Sequence, residues 1–116
     1  MIEYLKVLAD PTRMKILKFL LEEPVYVCEL AEVLGISQPT VSQHLRRLKG
    51  VGLVEENREG RRICYQISRQ VFERYQEELK IFLDTPINTL PEMSQEWTRY
   101  LEAKNKKEIL ACKELQ

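Results

Sequence analysis

One histidine, three cysteines and no net charge leave little material for several kinds of chemistry. His44 stands alone, so no paired-histidine metal site exists, and no acid or nucleophile sits beside it in sequence to make a catalytic base. Cys28, Cys64 and Cys112 form no CxxC pair, which excludes a zinc ribbon and a local redox dithiol. Free, widely spaced thiols suit a reducing compartment. No apolar run approaches the length of a bilayer span. The opening MIEYLKVLAD lacks the apolar core and small-residue cleavage site of a secretory leader. These absences describe a soluble, cytoplasmic protein with no membrane partner. No phosphate-cradling loop, zinc-hydrolase motif or nucleophile signature is present, so an enzyme is not expected.

What is present is a 116-residue chain, 44% hydrophobic, without repeats or low-complexity tracts, long enough for one small core. The zero net charge hides an asymmetry. Residues 37–62 carry six basic side chains against three acidic ones, a net +3, and the remainder is −3. A basic segment in an otherwise acidic chain suits a polyanion met by one face.

Ile2, Leu5 and Leu8 space as one face of a short helix. Asp10 can cap the next helix, with Pro11 at its first position, where no N–H partner is needed. Ile16, Leu17, Phe19, Leu20 and Leu21 make that helix apolar enough to be buried, and Glu23-Pro24 ends it. A third helix is predicted over 28–34, with Leu30, Val33 and Leu34 inward and Gly35 as left-handed cap. Ser37 caps a fourth helix, Pro39 falls in its first turn, and Val41, Leu45 and Leu48 form its buried stripe. The period then changes to two. Residues 53–58 and 61–68 read as strands joined by a turn at Glu59-Gly60, a hairpin with an arginine-rich tip. Val71, Phe72, Tyr75, Leu79, Phe82 and Leu83 stripe a further helix. Residues 84–91 read as a loop, and one last helix starts at Glu92, with Met93, Trp97, Tyr100 and Leu101 on one side.

The fold class is therefore mostly α with a small β-hairpin: two short helices joined through Gly35, then a basic hairpin, a winged helix-turn-helix. Residues 1–83 are assigned to that domain and 84–116 to a C-terminal loop and helix. With Val41, Leu45 and Leu48 inward, the fourth helix turns Gln38, Thr40, Ser42, Gln43, His44, Arg46 and Arg47 outward. Such groups suit the major groove of double-stranded DNA, where base edges mix donors and acceptors. The helix start after Ser37 favours a phosphate, and Arg58, Arg61 and Arg62 on the wing add backbone or minor-groove contacts.

Three segments carry a resemblance to the ArsR/SmtB family of bacterial and archaeal repressors: LADPTRMKIL (8–17), VCELAEVLGISQPTVSQHLRRLKGVGLVE (27–55) and REGRRICYQIS (58–68). The resemblance implies a homodimeric transcriptional repressor that binds a palindromic operator and leaves it when an inducer binds. It also implies dimerisation through the first and last helices: here the Ile2/Leu5/Leu8 face and the stripe of either 71–83 or 93–101, which would make the C-terminal extension a dimerisation or sensing element. One family sensor site pairs cysteines in the third helix. At the corresponding place Tyr26 replaces the first thiol and Cys28 remains. A second family site needs paired Asp and His on the last helix, which a chain with one His cannot build.

Three readings of Cys28, Cys64 and Cys112 stay open. As(III) or another soft metal ion, the sole cofactor candidate, prefers two or three thiolates, and Cys112 of one chain can approach Cys28 of another. Two thiols can instead form a disulfide or polysulfide switch. In the third reading Cys28 and Cys64 are small half-buried residues and Cys112 is a tail thiol. A winged-helix protein-interaction module without inducer is a further alternative for the whole chain.

Overall fold

The computed structural model describes residues 1–115. The chain divides into two compact units, residues 1–79 and 80–116.

The first unit begins with α1 (Ile2–Leu8) and α2 (Pro11–Glu22). Asp10 caps α2 as its sequence implied: the Arg13 backbone N–H donates to Asp10 Oδ2 at 2.9 Å. A two-residue strand β1 (Val25–Tyr26) leads into α3 (Val27–Leu34), and α4 (Gln38–Gly50) follows. Gly35, at φ 67°, closes α3 in the left-handed region, where a Cβ is strained. β2 (Val54–Glu59) and β3 (Arg62–Ile67) form the hairpin, and α5 (Arg69–Asp84) begins just beyond it. The hairpin register pairs Glu59 with Arg62, which leaves Gly60 and Arg61 as the two turn residues. The turn thus lies one residue later than expected, with Gly60 at φ 65°.

The sheet has three strands in the order β1-β3-β2, all antiparallel, with Val25 opposite Tyr65. β1 was not anticipated. Two residues are too few to show a period, and only pairing with the edge of β3 makes them a strand.

The core gathers Ile16, Leu20, Leu30, Val41, Leu45, Leu48 and Leu53, each under 2% exposed. Burying a side chain of this size contributes about 1.5–3 kcal/mol, so the α4 stripe is a major tie between that helix and the rest. Two expected faces are corrected, those of α2 and α3, and α1 adds to the core residues that its spacing did not mark. On α1 the buried residues are Tyr4 and Val7, while Ile2 is 59% exposed. Tyr4 is buried because its ring stacks on Tyr75 of α5, with centroids 4.3 Å apart. On α2 Phe19 is exposed and Leu21 half-buried, since Ile16, Leu17 and Leu20 fill the side toward the core. On α3 Val27, Leu30 and Ala31 face inward and Val33 is exposed.

α5 docks through its first half. Tyr75 donates its hydroxyl to the Val51 carbonyl at 3.1 Å, and Arg69 donates to the Leu21 carbonyl at 2.7 Å.

In the second unit, short 3-10 turns at Ile87–Thr89 and Pro91–Met93 replace the plain loop expected at 84–91. Two helices follow where one was expected, α6 (Ser94–Ala103) and α7 (Lys107–Glu114). The break falls at Lys104-Asn105-Lys106, where a poor helix former sits among like charges and no apolar residue anchors the turn. Trp97 and Tyr100 of α6 pack ring against ring at 5.6 Å.

Leu45→Ala is expected to lower stability by about 2–5 kcal/mol through loss of burial and a residual cavity. Val33→Ala should stay within about 0.5 kcal/mol. Urea unfolding of the two variants beside the parent measures the difference.

Candidate nucleic-acid interface

The geometry of α4 starts at its cap. The Thr40 backbone N–H donates to Ser37 Oγ at 3.3 Å, and the two side-chain hydroxyls lie 2.8 Å apart. Pro39 falls in the first turn, as its missing N–H allows. Val41, Leu45 and Leu48, each at 0% exposure, set the rotation of the helix about its axis. Gln38, Gln43, Arg46 and Arg47 are then exposed, and Ser42 and Thr40 half-buried. The Thr40 hydroxyl is committed to Ser37, so it is less free than a purely outward residue.

His44 departs from the expectation of a fully outward side chain. It is 19% exposed and turned to the start of α2. Its Nδ1 lies 3.2 Å from an Arg13 guanidinium nitrogen and 3.9 Å from Asp10 Oδ2. The cause is its position on the flank of the buried stripe, where α4 packs on α2. The backbone N–H of Arg13 holds the Asp10 carboxyl below its ordinary range, with the charge of the Arg13 guanidinium adding to the effect.

Opposite this flank, a cleft of about 210 Å³ separates α4 from the wing. Gln38 and Ser42 line it from α4, Arg61 and Arg62 from the wing, and Tyr26 and Cys28 from the start of α3. The arginines differ in their attachments. The Arg62 guanidinium lies over the Tyr26 ring, 4.9 Å from its centroid. The Tyr26 hydroxyl donates to Glu59 at 2.6 Å, a bond that pushes the phenol pKa up. Arg58 pairs with Glu56 at 3.3 Å, and Arg61 has no ion-pair partner among the described residues.

Glu56 collects three donors at the base of the wing: Lys49 at 3.2 Å, Arg58 at 3.3 Å and the Tyr65 hydroxyl at 3.2 Å. Lys49 is the main cause of its lowered carboxyl pKa. This knot links the end of α4 to β2 and β3. Residue types alone did not mark Lys49, Tyr26 or Arg13 as part of the region, because each acquires its role from a partner distant in sequence.

The three cysteines lie on three different elements. Cys28 is exposed in the first turn of α3, Cys64 half-buried in β3, and Cys112 exposed in α7. Burial, then the charges of Glu59 and Glu29, push the Cys64 thiol up, which disfavours the thiolate needed for metal binding or exchange. Among the described residues, no three His, Cys, Asp or Glu side chains gather into a group able to hold a metal ion. No described helix is long and apolar enough to cross a membrane.

The model of the bacterial regulatory protein, arsR family, matches residues 10–56. A structure titled reduced HlyU from Vibrio cholerae N16961 is 34% identical, with a TM-score of 0.57, over 73% of this chain and 88% of that one. The chain belongs to the ArsR family. A structure described as a possible transcriptional regulator for arsenical resistance has a TM-score of 0.64 at 27% identity, covering 84% of this chain and 95% of that one. The winged helix-turn-helix expected from the sequence is thus the fold of the ArsR family structures. A probable mercury resistance operon repressor of Streptomyces lividans is 42% identical over 64 residues, 55% of this chain and 51% of that protein. The chain spans about half the length of the curated relatives it matches.

The lowered pKa of Glu56 has a definite sign in stability. Its contribution is full above the ordinary glutamate value of 4.5 and is lost as pH falls through the lower folded-state value. Glu56→Gln should therefore flatten the acid limb of a Tm-against-pH curve, leaving the share that Asp10 contributes.

Proposed function

We propose that this ArsR family chain is a sequence-specific repressor that binds double-stranded DNA. One observation carries the reading: Gln38 and Ser42 of α4 and Arg61 and Arg62 of the wing border one cleft, so a duplex can meet helix and wing together. In this reading Gln43 reads base edges directly, with Gln38, Ser42 and His44 at the flanks. Ser37 and Thr40 shape the helix start that meets a phosphate. Arg46, Arg47, Arg58, Arg61 and Arg62 neutralise backbone charge.

The protein acts as a homodimer on a palindromic operator, since one short helix reads too few base pairs alone. Apolar side chains left open support a self-association surface. Ile2 and Met14 are exposed, and a groove lined by Tyr4, Leu17, Leu21 and Phe72 runs between α1, α2 and α5. In the second unit, Ile81, Leu83, Tyr100 and Leu101 are exposed.

A gel shift with the DNA upstream of its own gene tests the reading. Arg61→Ala and Arg62→Ala should each weaken binding across all sequences and lower the salt slope by about 1. Gln43→Ala should instead change which sequences are preferred. Binding indifferent to both changes would sink the reading in favour of a protein-interaction module.

The inducer is proposed to be As(III) or another thiophilic ion, held by thiolates with Cys112 of one chain meeting Cys28 of its partner. Support comes from the exposure of Cys28 and Cys112 and from the relative named for mercury resistance. Cys28→Ser and Cys112→Ser should each abolish operator release by As(III) in a gel shift. Release identical to the parent in all three single Cys→Ser variants ends the thiol reading. Loss of response only to oxidant or polysulfide points to a redox switch.

A further inference from the structure

His44 and Arg13 meet at the seam between α2 and α4, on the flank of the recognition helix away from the wing. At 3.2 Å from Arg13 the Nδ1 atom is within hydrogen-bond reach, whereas Asp10, at 3.9 Å, is outside it. A guanidinium has five N–H donors and no acceptor, so in this bond Nδ1 accepts. The ring is then neutral, with its proton on Nε2. Arg13 is held for this task at two further points. Its Nε donates to the Val7 carbonyl at the end of α1, and its backbone N–H donates to Asp10.

Nε2 has no hydrogen-bond partner among the described residues, yet no described side-chain nitrogen or oxygen is both buried and unpartnered. Nε2 therefore opens to solvent. Along α4, His44 lies one turn beyond Thr40 and one turn before Arg47, next to the exposed Gln43.

We propose that Arg13 is a specificity-determining positioning residue: its bond to Nδ1 locks His44 as the Nε2–H tautomer, so α4 presents a hydrogen-bond donor to DNA. The inference rests on the reading of α4 as the DNA-reading helix. A donor selects acceptor edges in the major groove, guanine O6 or N7, adenine N7 or thymine O4. The opposite tautomer would present an acceptor and select the amino groups of adenine or cytosine. Arg13 touches no base itself. It determines which kind of base edge His44 can accept.

A chain with one histidine makes the test direct, because the imidazole nitrogen spectrum of the full-length labelled protein contains one ring. In the parent, under conditions where the ring is neutral, Nδ1 should resonate as an unprotonated nitrogen and Nε2 as a protonated one. In Arg13→Met the two shifts should approach each other as both tautomers become populated. Selection from random duplexes supplies the second readout. Arg13→Met should reduce discrimination at one base pair by roughly 3- to 10-fold, the net worth of a hydrogen bond. That pair should be the one His44→Ala affects, and the salt slope should not change. Arg13→Lys, which keeps a donor, should restore part of the discrimination.

A parent ring carrying its proton on Nδ1 overturns the proposal, and this holds even if Arg13→Met fails to fold. Unchanged discrimination in a folded Arg13→Met also overturns it. A parent that shows the expected tautomer but selects no duplex removes the DNA reading, and the specificity role with it, while leaving the lock itself established.

Discussion

The fixed rotation of α4 is the constraint on which the rest depends. Val41, Leu45 and Leu48 occupy one stripe of a 13-residue helix and are wholly buried. A helix anchored on three side chains cannot turn about its axis without exposing them, at a cost of several kcal/mol. Every other α4 side chain therefore has an assigned direction. Gln43, Arg46 and Arg47 face outward, Gln38 and Ser42 border the wing cleft, and His44 meets α2. Chemistry on the outer face is a consequence of packing on the inner one.

Around that stripe, polar bonds hold the ends and flanks. Ser37 satisfies the Thr40 N–H at the start, and Glu56 ties Lys49 to the wing at the end. On one side, Arg13 joins the end of α1, the cap of α2 and His44. On the other, Tyr26 supports the Arg62 guanidinium while Glu59 fixes the Tyr26 hydroxyl. The exposed ion pairs among these contribute little stability individually. Their effect is positional, since each limits where a cation or ring can point.

Local signals in the sequence were legible where the cause is local. Asp10-Pro11 and Ser37 with Pro39 marked helix starts, Gly35 marked a left-handed cap, and the spacing of Val41, Leu45 and Leu48 marked a buried face. Signals failed where a distant partner decides. Val33 fits an apolar stripe by spacing, yet Ala31 took the inward place, and Tyr4 is buried on α1 because its ring stacks on Tyr75. β1 is a strand only by pairing with β3. The last helix split at Asn105, a poor helix former between two lysines.

The sequence by itself determined the kind of molecule: the helix pair joined through Gly35, the basic hairpin, and a polar outer face opposite an apolar stripe. These follow from periodicity, caps and turn chemistry, which act within a few residues. Only the tertiary structure decided what surrounds each functional group. It brought Arg13 to His44 across 31 positions and Tyr26 to Glu59 across 33. It also decided exposure, leaving Cys28 and Cys112 open and Cys64 half-buried. Hydrogen-bond partners and donor sets form through space, and their sequence separation carries no period from which to read them.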